Sequence, residues 1–367
     1  MSLDYYIKNL IGKYEDKDMM GNPITLYNKI VDGDYQFDVI EEKKGGMANV
    51  YIGTYRHNDL EGQCIIKVLN PMSLIGVEEE SPKFIAEAEQ RYIIKAYESF
   101  TREAEILAKI KEHRKIDGLP YIEKQFTDNG IDLQRNLGFK NIYPALDKLT
   151  TGIVIEYLHG KDFKEIADFM NHFNLKMDDK IINYAISELC EPLNNLHNLR
   201  LIHKDIKPSN IHLSGKDIFL LDFGISSKIR EKNNRVEGTL GYIPPKEFIG
   251  TVKGDIYQTG MVWAVLRTGN QDLPYEVQPT VVSDPNMDKA KELIKVPRKE
   301  KEIIFKCLNG EFGSAHELGK YINKNLDIAT EEEVQEFYKE CQPDLIKPKK
   351  QKMQSKTSMN LSQMSLH

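Results

Sequence analysis

The sequence predicts an α+β chain, with a strand-rich first part and a helix-rich second part. Three observations carry this. Residues 35–70 hold short alternating or apolar runs rich in β-branched and aromatic side chains. Residues 82–111 contain no helix breaker after Pro82 and place apolar groups at helical spacing. After Lys161 most of the chain keeps that helical spacing. Strands gathered first and helices second suit two separately organised lobes.

Each element has its local reason. Tyr35–Ile40 and Val50–Tyr55 alternate apolar and polar residues, the mark of half-buried strands, and Cys64–Leu69 is a buried-type apolar run. Pro82 suits a first helical turn, and Phe84, Ala88, Tyr92 and Phe100 through Ile110 follow it. Thr151–Leu158 returns to strand character. Residues 1–32 mix short apolar groups with turn signals, Gly21-Asn22-Pro23 and Asp32-Gly33, and read as an N-terminal extension on the first lobe. Residues 328–367 read as a last helix and a tail. The Lys-rich stretch from Ile346 and the Ser/Met-rich end behind it cannot bury a core, so a disordered tail is expected.

Composition narrows the function classes. The 367 residues are 40% hydrophobic and 29% charged, as in soluble globular proteins. A net charge of −6 argues against nucleic acid or a membrane surface as the main partner. No run of about 18 apolar residues is present, and the first twenty residues lack the apolar stretch of a secretory leader. Cys64, Cys190, Cys307 and Cys341 form no close pair, which fits buried free thiols in a reducing compartment. A cytoplasmic location is therefore expected. Nothing in the sequence sets the oligomeric state.

One set of residues carries chemistry. Lys67 lies in a strand that follows the turn Gly45-Gly46, and Glu103 lies on the next helix. Asp205, Lys207 and Asn210 share a short segment, and Asp222 follows Leu220-Leu221. Phosphoryl transfer needs a cation on the nucleotide phosphates, hard oxygen ligands for Mg²⁺, and a carboxylate that orients the hydroxyl nucleophile. Lys67 suits the phosphates with Glu103 holding it, Asn210 and Asp222 suit the metal, and Asp205 suits the nucleophile.

This ordered set resembles the protein-kinase superfamily over most of residues 33–327, and the Gly-Gly-Met start of the loop is similar to bacterial Ser/Thr kinases. Lys43–Val50 matches the glycine-rich loop, Ile66-Lys67 the end of the strand bearing the phosphate-binding lysine, and Thr101–Leu107 the helix bearing its glutamate. Leu201–Leu213, "LIHKDIKPSNIHL", matches the catalytic loop, and Asp222-Phe-Gly224 stands 17 residues on (205 to 222). Gly238-Thr239 and Tyr242 match the end of the activation segment, and Asp255 the helix aspartate that anchors the catalytic loop.

The resemblance implies a two-lobed kinase: a small antiparallel β-rich lobe with one helix (33–157), a hinge (156–160), and a larger helical lobe (161–327). It implies ATP and Mg²⁺ as cofactors, with Mn²⁺ as a substitute. It implies protein substrates with Ser or Thr hydroxyls, because Lys207 two residues after Asp205 is the Ser/Thr pattern and Thr239 can bond to both. For the nucleotide it points to Gly45, Gly46, Met47, Val50, Ile65, Lys67, Ile155 at the gatekeeper position, Glu156, Leu158, Asp162 as the ribose acid, and His212. The other reading is a pseudokinase, a nucleotide-binding or scaffolding module without chemistry.

Several positions depart from the pattern. Lys43 and Ala48 replace loop glycines, Ile65 replaces a small residue above adenine, and His212 replaces an apolar one below it. These leave two readings open: ordinary variation, or altered nucleotide preference. The 36-residue interval from Lys67 to Glu103 implies an insertion over 71–100, either a docking place for a regulatory partner or an elaborated surface; a second spans 128–148. Lys246 stands where an acid usually closes the activation segment and Glu311 where its arginine stands. A swapped ion pair is expected, with Glu247 as the rival acid. Lys204 replaces an arginine that forks onto a phosphate. Apart from Thr239 and Tyr242, only Ser226 and Ser227 carry hydroxyls in the short activation segment, so control without activation-loop phosphorylation is expected. Ser355, Thr357, Ser358, Ser362 and Ser365 in the tail are candidates for autophosphorylation.

Overall fold

The computed structural model describes residues 13–17, 23–27, 30–32, 35–43, 48–58, 60–69, 87–113, 116–128, 149–229, 236–280 and 283–341. Gly45, Gly46, Met47, the first part of the 71–100 insertion, nearly all of the second insertion and the tail lie outside them.

An antiparallel sheet builds the first lobe. Strands β1 (Lys13–Lys17) and β2 (Pro23–Tyr27) pair with each other. Then β3 (Ile30–Asp32), β4 (Tyr35–Lys43), β5 (Ala48–His57), β6 (Leu60–Leu69), β7 (Ile122–Asp128) and β8 (Leu149–Glu156) form one sheet in the order β3-β4-β5-β6-β8-β7. The sheet thus takes in Ile30–Asp32, just ahead of residue 33. Strands β5 and β6 pair along their full length, from Ala48 opposite Leu69 to His57 opposite Leu60. The turn passes through Asn58 at φ 54, a left-handed conformation that Asn tolerates. From Cys64 on, strand β6 buries Cys64, Ile66 and Val68 on one face and Leu69 on the other, where Ile65 and Lys67 are half-buried. That is why Cys64–Leu69 reads as an apolar run broken only by Lys67.

Helix α1 (Glu87–Glu112) covers the sheet face that carries Lys67. Tyr97, Phe100, Ala104, Leu107 and Ile110 recur at helical spacing and are all buried. The later part of the predicted insertion, residues 87–100, is therefore the beginning of α1 itself. Within the 36-residue interval from Lys67 to Glu103 the described part, from Glu87 on, is helix, and residues 70–86 lie outside the described residues.

The second lobe is helical. In order come β9 (Lys161–Asp162), α2 (Phe163–His172), α3 (Asp179–Asn198), β10 (Leu201–Ile202), β11 (Ile211–Ser214), β12 (Asp217–Leu220), β13 (Ser227–Lys228), α4 (Val252–Thr268), α5 (Leu273–Val277), α6 (Met287–Leu293), α7 (Arg298–Leu308), α8 (Ala315–Asn325) and α9 (Glu331–Glu340). Helix α4 is nearly all buried and forms the lobe's axis, with Trp263 donating its Nε1–H to Asn183 Oδ1 of α3 at 3.2 Å. Close helix approach depends on Gly260, where a Cβ would stand 2.6 Å from Cys307 Cβ on α7. The four cysteines are free and buried, as the sequence suggested. Among the described residues no helix is long and apolar enough to cross a membrane.

The end of the activation segment corrects one expectation. Lys246, Glu247 and Glu311 are all exposed, and among the described residues no ion pair joins Lys246 to Glu311. An apolar contact does the closing: the Phe248 ring lies over Gly310, which has φ 65 and whose added Cβ would stand 2.5 Å from Phe248 Cζ. Gly310→Val should therefore lower stability by roughly 2–4 kcal/mol, from left-handed strain and overpacking together. A double-mutant cycle on Lys246 and Glu311 should show coupling below about 0.3 kcal/mol. Thermal unfolding of the variants checks both, and a clear coupling would reinstate the swapped pair.

Candidate active site

The segment Leu201–Leu213 connects α3 to β11 and is held from beneath by α4. Asp255 of α4 is 1% exposed, and its carboxylate accepts from the backbone N–H of His203 and of Lys204, each at 2.9 Å. His197 Nε2 lies 2.8 Å from the same carboxylate. Burial works to raise the Asp255 carboxyl, but the bond from His197 and the nearby imidazoles outweigh it and hold the group below its ordinary value. One helical turn on, Gln258 accepts from Ile206 N–H at 3.0 Å and donates to the Lys204 carbonyl at 2.7 Å. These bonds fix Lys204 at φ 71, a left-handed conformation a lysine rarely adopts.

The loop so held presents Asp205 to a polar cluster. Asp205 Oδ1 accepts from the Thr239 backbone N–H at 2.9 Å and from its hydroxyl at 2.8 Å. Oδ2 accepts from Lys207 Nζ at 2.7 Å, and the same Nζ donates to Thr239 Oγ1 at 2.9 Å. Asn210 Nδ2 donates to the Asp205 carbonyl at 2.8 Å. Burial pushes the Asp205 carboxyl upward, but the Lys207 charge and these hydrogen bonds hold it below the ordinary carboxylate value. Asp205 is thus an ionised acceptor at neutral pH.

Asp222 and Lys67 close the cleft from the other side. Leu221 N–H donates to the Asn210 carbonyl at 2.8 Å, placing Asp222 next to the loop. Asp222 adopts φ 67 and accepts from Gly224 N–H at 3.2 Å, while Phe223 is fully buried against His203 with ring centroids 5.2 Å apart. Lys67 Nζ donates to Glu103 Oε1 at 2.6 Å. Burial disfavours the Lys67 charge, yet Glu103 and Asp222 outweigh it and keep the ammonium protonated.

The remaining predicted nucleotide residues spread along the cleft. Val50 lies opposite Lys67, and Ile65 lies opposite both Ile52 and Ile155, so these side chains share the Lys67 face of the sheet. Glu156 Oε1 accepts from Tyr121 N–H at 2.9 Å, and Leu158 is half-buried in the link to the second lobe. Asp162 caps α2 through a capping box with Glu165, accepting Glu165 N–H at 2.8 Å. Burial pushes its carboxyl up to about 6. His212 sits on β11 directly opposite Asp162 and against the backbone of Gly160. Gly160 needs to be glycine: it has φ 138, and a Cβ there would meet the Leu213 carbonyl oxygen at 1.9 Å.

No bound metal is needed to judge the donor set. Asn210 uses its amide nitrogen on Asp205, which leaves the amide oxygen, and Asp222 adds carboxylate oxygen. Both are the hard donors Mg²⁺ prefers. Among the described residues there is no cluster of three or more His, Cys, Asp or Glu able to hold a metal alone, so this pair would need phosphate or water oxygens to complete a shell.

Two residues escaped the sequence reading. Glu237 accepts from Lys204 Nζ at 3.1 Å, and Arg102 of α1 stands 3.8 Å from the same carboxylate. A carboxylate within the activation segment thus meets Lys204, whereas Ser226 and Ser227 are buried and the Ser226 hydroxyl donates to the His203 carbonyl at 3.1 Å. Glu237 adjoins Gly238-Thr239, but only folding shows that it turns toward Lys204. Gln258 was also missed, although its spacing from Asp255 puts both on one helix face.

The protein kinase domain model matches residues 81–344, more than half of the chain, and the chain belongs to the protein kinase family. That match begins after Lys67, so the Lys67–Glu103 pair is an addition from the geometry. Bacterial serine/threonine kinases are among its relatives. It is 32% identical over 155 residues to a Clostridium acetobutylicum protein named a probable serine/threonine-protein kinase, covering 40% of this chain and 23% of that protein. It is 32% identical over 127 residues to the serine/threonine-protein kinase PknB of Mycobacterium tuberculosis, covering 32% and 20%. It is also 31% identical over 132 residues to eukaryotic translation initiation factor 2-alpha kinase 1 of Plasmodium falciparum, covering 34% and 8%. The chain therefore spans less than a quarter of the length of each of these relatives.

Asp255→Ala should cost about 3 kcal/mol, since it leaves the buried N–H groups of His203 and Lys204 without acceptors. The Asp255 carboxyl is depressed in the fold, so its stabilisation is present above the ordinary value near 3.9 and is lost as pH falls through the folded value. Urea unfolding of wild type and variant should show the full difference at pH 7 and a narrowing gap below about pH 4. A gap that persists unchanged in acid would contradict this account.

Proposed function

We propose that this chain is a serine/threonine protein kinase that moves the γ-phosphoryl group of ATP, with Mg²⁺, onto hydroxyls of protein substrates and of itself, in cytoplasmic signalling. The observation that carries the proposal is the Asp205–Lys207–Thr239 cluster in the same chain as the formed Lys67–Glu103 pair, beside which Asp222 places its charge. Asp205 orients the attacking hydroxyl and takes its hydrogen bond. Lys207 stands beside it, ready to offset negative charge on the transferring group. Thr239 ties the activation segment to both. Lys67, held by Glu103, meets the nucleotide phosphates, and Asn210 with Asp222 would hold the metal, which neutralises phosphate charge when bound. The relatives' names support serine and threonine as acceptors.

Asp205→Ala should abolish transfer of labelled phosphate to a mixed Ser/Thr peptide library, with folding checked by unchanged thermal unfolding. Full transfer by that variant would leave the proposal without its central residue.

Control follows from Glu237. Its carboxylate engages Lys204 and faces Arg102, linking activation segment, catalytic loop and α1 with no phosphate needed. Glu237→Ala should lower the transfer rate roughly 5-fold, an effect of about 1 kcal/mol for a partly exposed ion pair. Phosphatase treatment of the wild-type protein should leave its initial rate unchanged. A large drop after phosphatase would mean that an added phosphate is required.

A further inference from the structure

A cavity of about 420 Å³ opens beside the catalytic loop, between α2 and the end of α4, a size usual for ligand sites. Its lining includes Lys207 and Thr239, the partners of Asp205. Its walls include Met170, Leu175, Met177, Leu266 and Tyr275. Two of these, Leu175 at 53% and Tyr275 at 45%, are large apolar side chains left exposed, and Phe173 at 57%, two residues before Leu175, is exposed as well. Apolar groups gathered at the rim of a cavity mark a binding surface, and methionine adapts to varied apolar partners.

Charge disfavours a basic occupant: the lining carries Lys164, Lys176 and Lys207, the first two in exposed pairs with Asp168 at 2.7 Å and Asp179 at 3.5 Å. Asp272 is the only carboxylate on the lining, too little for an arginine-rich one. The cavity suits a large aliphatic side chain a few residues from the acceptor hydroxyl.

The chain itself supplies such a segment. Helix α9 ends at Glu340, and just ahead of it Ala329 donates its N–H to the Lys180 carbonyl at 3.1 Å, four residues along the chain from Lys176 on the cavity lining. Ser362 follows Cys341 by 21 residues, and a chain spans about 3.3 Å per residue when extended, several times the length of α2. The five tail hydroxyls divide by their neighbours. Ser355 and Thr357 flank Lys356, while Ser358 stands between Thr357 and Met359. Ser362 has Met359, Leu361 and Met364 around it, and Ser365 sits between Met364 and Leu366.

We propose that the cavity selects acceptor hydroxyls flanked by large apolar residues, and that residues 359–366 of the tail occupy it, with Ser362 and Ser365 as the modified positions. This rests on the kinase function proposed above. In the step, the serine Oγ forms a bond to the γ-phosphorus of ATP and the bond from that phosphorus to the β,γ-bridging oxygen breaks. ADP leaves with the bond's electron pair, and the hydroxyl proton passes by way of Asp205 to solvent.

The test uses the full chain with Mg-ATP, phosphosite mass spectrometry, and a mixed Ser/Thr peptide library as a second acceptor. Phosphate is expected on Ser362 or Ser365 at least 10-fold above the Lys-flanked Ser355 and Thr357. The tail variant Leu361→Glu/Met364→Glu should lose that labelling at least 10-fold while phosphorylating the library as wild type does. Leu175→Glu should shift library preference from Leu- or Met-flanked toward Lys- or Arg-flanked acceptors. Library transfer with labelling confined to the Lys-flanked positions, or with the tail unlabelled, overturns the proposal, as does unchanged preference in Leu175→Glu. Absence of transfer to any acceptor would instead overturn the kinase function itself.

Discussion

A single buried carboxylate, Asp255, sets the geometry on which the site depends. Burying an unpaired charge costs several kcal/mol, so the fold tolerates it only with full hydrogen bonding. His203 N–H, Lys204 N–H and His197 supply those bonds. Satisfying Asp255 forces the loop to pass over α4 with Lys204 in a left-handed conformation, and Gln258 locks the next turn. Asp205 is then placed by its neighbours rather than by its own side chain. From it the bonds run outward to Thr239 in the activation segment and through Asn210 to Leu221, beside Asp222.

Helix α1 couples this anchored lobe to the sheet. Along one helix, Ser99 donates to the Gly224 carbonyl at 2.8 Å, Arg102 faces Glu237, Glu103 holds Lys67, and Lys109 donates to the Leu199 carbonyl at 2.8 Å. A rigid element with contacts at both lobes can move only by breaking several at once. The long interval before Glu103 acquires a structural meaning here, because its later residues are the first turns of the helix, including Tyr97 and Ser99.

Much of the architecture could be read from local pattern. The second half of strand β6 was visible as an apolar run because Cys64, Ile66 and Val68 are buried on one face and Leu69 on the other, and α1 because its apolar groups recur at helical spacing. Asp205, Asn210 and Asp222 stood out through spacing along the chain. Lys246 and Glu311 misled because a sign exchange between two distant positions looks like a pair in one dimension. In three dimensions both reach solvent, and Phe248 over Gly310 fills the contact.

The sequence by itself determined the class of fold, strands ahead of helices, and the residue types of the candidate site, because periodicity and short-range spacing are local properties. Tertiary structure decided which charges meet. Glu237 with Lys204 and Arg102, the cap formed by Asp162, and the apolar cavity at the end of the catalytic loop join residues far apart in the chain. Such contacts depend on how helices and loops are packed in space, and no local pattern encodes the distance between them.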